Sequence, residues 1–94
     1  YLAIAGMLAA ALLGIRNEIE PPPALVGYGY DPSKAPKLPQ TLWDALDALE
    51  EDKEFAEVLG RPLVDTFLAY KRDEIDRFNS WITDWEFHEY TYHI

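Results

Sequence analysis

The 94-residue sequence contains no cysteine. That excludes a disulfide framework, a thiolate nucleophile and cysteine metal ligands, and it permits an intracellular, cytoplasmic location. Positive charge is scarce as well: eight Lys and Arg stand against seventeen Asp and Glu, a formal charge of −9. A chain this acidic has no long-range attraction to phosphate backbones or anionic lipid, so neither nucleic acid nor a membrane is an expected partner. No hydrophobic run is long enough to span a bilayer. The uncharged stretch YLAIAGMLAAALLGI occupies residues 1–15, about 22 Å as a helix, where a span needs about 20 apolar positions. A secretory leader is disfavoured too, because no basic flank precedes the apolar part and Arg16 follows it. The chain opens on Tyr1 rather than Met, as expected of a cut made inside a larger protein.

Catalytic signatures are equally sparse. Ser33 and Ser80 lack any triad context, and no glycine-rich phosphate loop occurs. Among seventeen carboxylates nothing singles out an acid and base pair; Glu74 and Glu86 have no more claim than the rest. The row Asp44, Asp47, Glu50, Glu51, Asp52, Glu54 and Glu57 has neither an EF-hand spacing nor a glycine to turn the backbone, and Lys53 interrupts it. A solvated helical face is the expectation. His88 and His93 lie five apart, a poor spacing for joint coordination from one helix, and packing or interfacial roles fit them better.

What the sequence does hold is apolar and aromatic surface: 49% hydrophobic residues, with six Tyr, four Phe and three Trp. General disorder is excluded, and part of that surface is expected to face a partner. Tyr1, Ile4, Met7, Leu8, Ala11, Leu12, Ile15 and Ile19 recur at helical spacing. Ala3, Ala5, Gly6, Ala9, Ala10 and Gly14 lie between them, small enough to admit neighbouring backbones. This helix is expected to be packed nearly all round and to end close to Glu20, where Pro21 removes an amide donor and Pro22 disfavours helical geometry before it.

Residues 21–39 hold six of the seven prolines and no sustained period, which predicts a long surface loop, either a flap or a segment laid over other protein. Within it Tyr28 and Tyr30 flank Gly29, and their rings either anchor the loop by burial or stand accessible. Downstream the expected pattern is all helix. Thr41 caps a helix with Asp44 at the capping-box position and Leu42, Ala45, Leu46 and Leu49 inward, and Asp52 caps a short one ending at Gly60. Pro62 opens a longer helix with Leu63, Val64, Phe67, Leu68, Ile75 and Phe78 inward and Lys71 to Arg77 mainly toward solvent. TDWE at 83–86 opens a terminal helix, preferred over the strand that the alternation of WEFHEYTYHI also allows.

In order, the segments YLAIAGMLAAALLGIRNEIEPPP, GYGYDP, LPQTLWDALDALEEDKEFAEVLG, LVDTFLAYKRDEIDRF and TDWEFHEYTYHI resemble the C-terminal segment of the glutamine synthetase family, including its amine-ligase members, over essentially all 94 residues. The resemblance implies a mainly α chain, a helical C-terminal fragment of a larger α+β catalytic domain, with the loop at 21–39 and an oligomer-contacting terminus at 83–94. Tyr1-Leu2-Ala3 is similar to the end of the family's Asn-Pro-Tyr-Leu-Ala segment, which places the family's metal ligands, phosphate-binding arginines and ammonium-site acid before Tyr1. No catalytic, cofactor or metal residue is therefore expected here. ATP and Mg or Mn belong to the full-length parent.

That parent is implied to activate the glutamate side-chain carboxylate as γ-glutamyl phosphate, which ammonia or another amine then attacks. Tyr30 in GYGYDP lies where some family members carry an adenylylated tyrosine, although Tyr28-Gly29 replaces their Asn-Leu, so an accessible flap position comes first and a regulatory one second. Trp85, Phe87, Tyr90, Tyr92 and Ile94 are implied to bury against another subunit of a homo-oligomer, in stacked rings, the other implied partner being the remainder of the catalytic domain. The alternative is a standalone helical module that binds a partner protein through residues 1–19 and the aromatic terminus.

Overall fold

A computed structural model describes residues 1–31 and 33–93. The described residues form five helices: α1 (Leu2–Arg16), α2 (Leu42–Glu51), α3 (Lys53–Leu59), α4 (Arg61–Asn79) and α5 (Asp84–Tyr90). Among the described residues there is no strand, which bears out a mainly α chain.

Local chemistry explains most of the boundaries. Thr41 Oγ1 accepts the Asp44 amide at 3.1 Å and starts α2; the reciprocal half of that capping box is not formed. Asp52 ends α2 and starts α3, its Oδ1 accepting the Phe55 amide at 3.0 Å. Gly60, at φ +99°, in turn ends α3 and precedes Arg61 and Pro62 in the first turn of α4. A side chain at that φ would be strained, so glycine is required there. Three helices thus follow one another through single-residue joints.

The first helix ends sooner than expected. It stops at Arg16 rather than near Glu20, before the prolines act. Glu18 adopts a left-handed conformation, φ +50°. Its N–H then reaches Ile15 O at 3.3 Å, and the Ile19 N–H reaches Gly14 O at 3.0 Å. This is a Schellman closure with Glu where glycine is usual, and its geometry satisfies carbonyls that the helix end would leave unpaired. Glu18→Gly should relieve the left-handed strain and stabilise the closure by about 0.5–1 kcal/mol after glycine's unfolded-state entropy is subtracted. A urea titration followed by helical circular dichroism checks it; a loss of stability would show that Glu18 contributes more than its backbone.

The core lies in the wedge of α2, α3 and α4. Leu46, Ala56, Val64, Leu68 and Ile75 are buried there, with Leu49, Leu59 and Phe67 packed against them. Leu42, Ala45, Leu63 and Phe78, expected inward, are exposed, because this wedge presents no further layer to cover them. Helix α1 packs on α3 through its small residues: Ala9 is its buried position, and a Cβ at Gly6 would lie 3.7 Å from Phe55 Cζ. The large apolar stripe expected to be packed is turned away, with Ile4, Met7, Leu8 and Ile15 each more than half exposed.

The resulting molecule is open. Its radius of gyration is 18.6 Å, against about 12 Å for a compact domain of this length. Its accessible surface is 8312 Å², where a folded monomer of this mass presents about 5,500 Å². No described helix is long and apolar enough to cross a membrane. Large apolar side chains contribute to that surface, among them Met7, Leu8 and Ile15 on α1 and Trp85 and Phe87 on α5.

Candidate functional site

Three surfaces carry the chain's uncommitted chemistry: the outer face of α1, the proline-rich loop and the aromatic terminus. The loop is shaped locally. Asp31 Oδ1 accepts from Ser33 Oγ at 2.7 Å and from the Ser33 amide at 3.0 Å, bonds that hold its carboxyl below the usual aspartate range. Lys34 Nζ donates to Val26 O at 3.0 Å, drawing the two arms together beside Gly27, whose φ of +95° suits glycine. Tyr28 and Tyr30 sit with ring centroids 5.6 Å apart, and both rings are exposed, Tyr30 at 86%. Neither anchors the loop by burial in this chain. Pro32, between Asp31 and Ser33, lies outside the described residues.

The terminus is built by a complete capping box. Thr83 Oγ1 accepts the Glu86 amide at 3.2 Å, and Glu86 Oε2 accepts the Thr83 amide at 2.7 Å and its hydroxyl at 3.0 Å. Helix is thus the outcome for a segment whose alternation also allowed a strand. Trp85, Phe87, Tyr90 and Tyr92 are all at least half exposed; Trp85 and Tyr90 meet edge to face at 6.3 Å. Ile94, grouped with them by sequence, lies outside the described residues.

The Thr83 bonds lower the Glu86 carboxyl from its ordinary value. A carboxylate with a depressed folded pKa stabilises above its unfolded value and loses that contribution as pH falls through the folded one. Acid should therefore fray α5 only below the ordinary glutamate range, about 4.3. Thr83→Ala should fray it already at neutral pH. Amide exchange of residues 84–90 across pH 3–7 checks both; protection independent of pH and of Thr83 would contradict them.

Sequence patterning missed one polar cluster. Arg72, expected to meet mainly solvent, crosses from α4 to α2, its Nη2 donating to Asp47 Oδ1 at 2.9 Å and Glu50 Oε2 at 2.7 Å. Its guanidinium carbon stands 5.4 Å from the Trp43 ring centroid. The i, i+4 and i+7 spacing of Trp43, Asp47 and Glu50 set this receptor on one face of α2, but only the tertiary fold supplies the cation. The rest of the acidic row is exposed, with Glu54 accepting from Asn17 Nδ2 at 3.0 Å.

Among the described residues no three His, Asp or Glu side chains group as a metal site. Asp47 and Glu50 already hold Arg72. A divalent cation needs several free oxygen donors around one point, so the donors among the described residues do not fit the metals implied for the parent.

These features define a helical chain whose apolar and aromatic faces lie exposed. A family model described as glutamine synthetase, catalytic domain, matches residues 1–90, and the chain belongs to that family. It is 41% identical to a glutamine synthetase of Archaeoglobus fulgidus, the match covering 96% of this chain and 20% of that protein. It is 37% identical to a glutamate–methylamine ligase of Methyloversatilis universalis, over 96% of this chain and 22% of the relative. A Thermotoga maritima glutamine synthetase is 31% identical over 98% and 23%. The chain thus spans about a fifth of the length of the curated relatives it matches. No solved structure matches it significantly.

Proposed function

We propose that this chain is the C-terminal helical part of an ATP-dependent ligase that joins ammonia or another amine to the glutamate side-chain carboxylate through γ-glutamyl phosphate. The observation that carries it is a family match over residues 1–90 by a chain one-fifth the length of its relatives. The parent's α+β domain supplies the groups that bind nucleotide and divalent metal. This chain supplies packing for that domain and contacts between subunits of a cytoplasmic homo-oligomer, stacked in rings, through Trp85, Phe87, Tyr90, Tyr92 and Ile94. Tyr30 stands as an accessible flap residue.

The presence of a methylamine ligase among the relatives keeps the acceptor open between ammonia and a larger amine. The deciding experiment incubates the full-length parent with glutamate, ATP, Mg and a panel of amines, following phosphate release and product mass. A γ-glutamyl amide with stoichiometric phosphate is expected. A parent inert with every amine overturns the proposal, and metal-dependent transfer by the 94-residue chain freed of parent overturns the assignment of chemistry to the missing part.

A further inference from the structure

Between the first turn of α1 and the wedge lies an apolar groove of about 310 Å³. It is lined by Leu2 and Gly6 of α1, Leu49 of α2, Phe55 and Leu59 of α3, and Leu63 of α4, among others. Resting on the proposal that the chain is part of a longer ligase, we infer that this groove is a docking site for the parent's own polypeptide: the segment that leads into Tyr1.

The groove's chemistry limits the occupant. All of its lining side chains are apolar, and burying an amide or charge there without a partner would cost several kcal/mol. A cavity of about 150 Å³ lined by Leu, Ile and Phe stays dry and takes one benzene. This one therefore suits two large apolar side chains.

Position selects the segment. The first turn of α1 is part of the lining, so residues running into Tyr1 leave from the groove's rim. At about 3.3–3.6 Å per extended residue, a few residues suffice to cross it. The relatives hold about four-fifths of their length outside the matched region, so covalently tethered chain is available at high effective concentration. A second copy of this chain would have to reach the same pocket without that tether.

The test places a diazirine isostere of leucine at Leu63 of the full-length parent and maps the photo-cross-link by mass spectrometry. Leu63 is about half exposed in this chain, and the isostere leaves the packing unchanged. A link to the same polypeptide within about 20 residues before Tyr1 is expected to dominate. The same label at Leu59, which lines the groove from α3, must find the same segment. Linkage to a different part of the chain, to another subunit, or to water alone overturns the inference. Ligase assays on the labelled parent separate the two proposals: an inert parent that still links to this segment fails the function and keeps the groove.

Discussion

Leu46→Ala should cost about 2–5 kcal/mol, the range for truncating a buried leucine whose surroundings close only partly over the cavity. Leu46, 2% exposed, is the most fully enclosed large side chain among the described residues. It sits where α2, α3 and α4 meet, against Ala56, Val64 and Leu68, and these small and branched side chains have little reach to refill the space. A domain of this size has about 5–14 kcal/mol of stability in total, and one this open belongs toward the low end. The substitution should remove a large share of it. The measurement is the urea midpoint of helical circular dichroism, with Leu38→Ala in the loop, at an 81% exposed position, as the control expected to stay within about 0.5 kcal/mol. Similar shifts for both would mean that the wedge is not the folding core.

The second large effect depends on context. Leu8 is 67% exposed, beside Met7 at 75%. In the 94-residue chain Leu8→Asp should therefore cost no more than its helix propensity, about 0.5–0.7 kcal/mol. In the full-length parent, where the proposed function has the catalytic domain covering this face, the same change buries a carboxylate without a partner. The loss should then be about 3 kcal/mol or more, or the side chain should take up a proton. Thermal unfolding of the parent beside urea unfolding of the short chain makes the comparison. Equal and small effects in both would show that α1's outer face stays wet and would remove the main support for its packing role.

What the sequence disclosed and what it withheld follow from the range of each interaction. Thr41, Asp52, Gly60, Pro62 and the Thr83–Glu86 box act within three or four residues, and each lies where its local chemistry placed it. The face of α1 that turns inward was not legible, because a helix apolar all round offers no contrast for periodicity to read. Its inner contact runs through Gly6 and Ala9, the residues with the least side chain to signal it. The early end at Arg16 depends on Glu18 accepting a left-handed conformation that propensity assigns to glycine or asparagine. Arg72 was hidden for a different reason: its partners are 22 and 25 residues away, and no pattern along one helix names a cation on another. The groove was not legible either, since its lining comes from four separate helices.

The single-residue joints at Asp52 and Gly60 have a consequence for how the molecule forms. With no loop to close between α2 and α3 or between α3 and α4, neighbouring helices find each other by local search, the low-contact-order regime in which helical units fold in microseconds to milliseconds. Helix α1 must instead cross the long connection from Asn17 to Thr41, and closing it carries an entropic penalty that grows with its length. The wedge should thus assemble first and serve as the template on which Gly6 and Ala9 settle, so that the most apolar helix is the last to find its place.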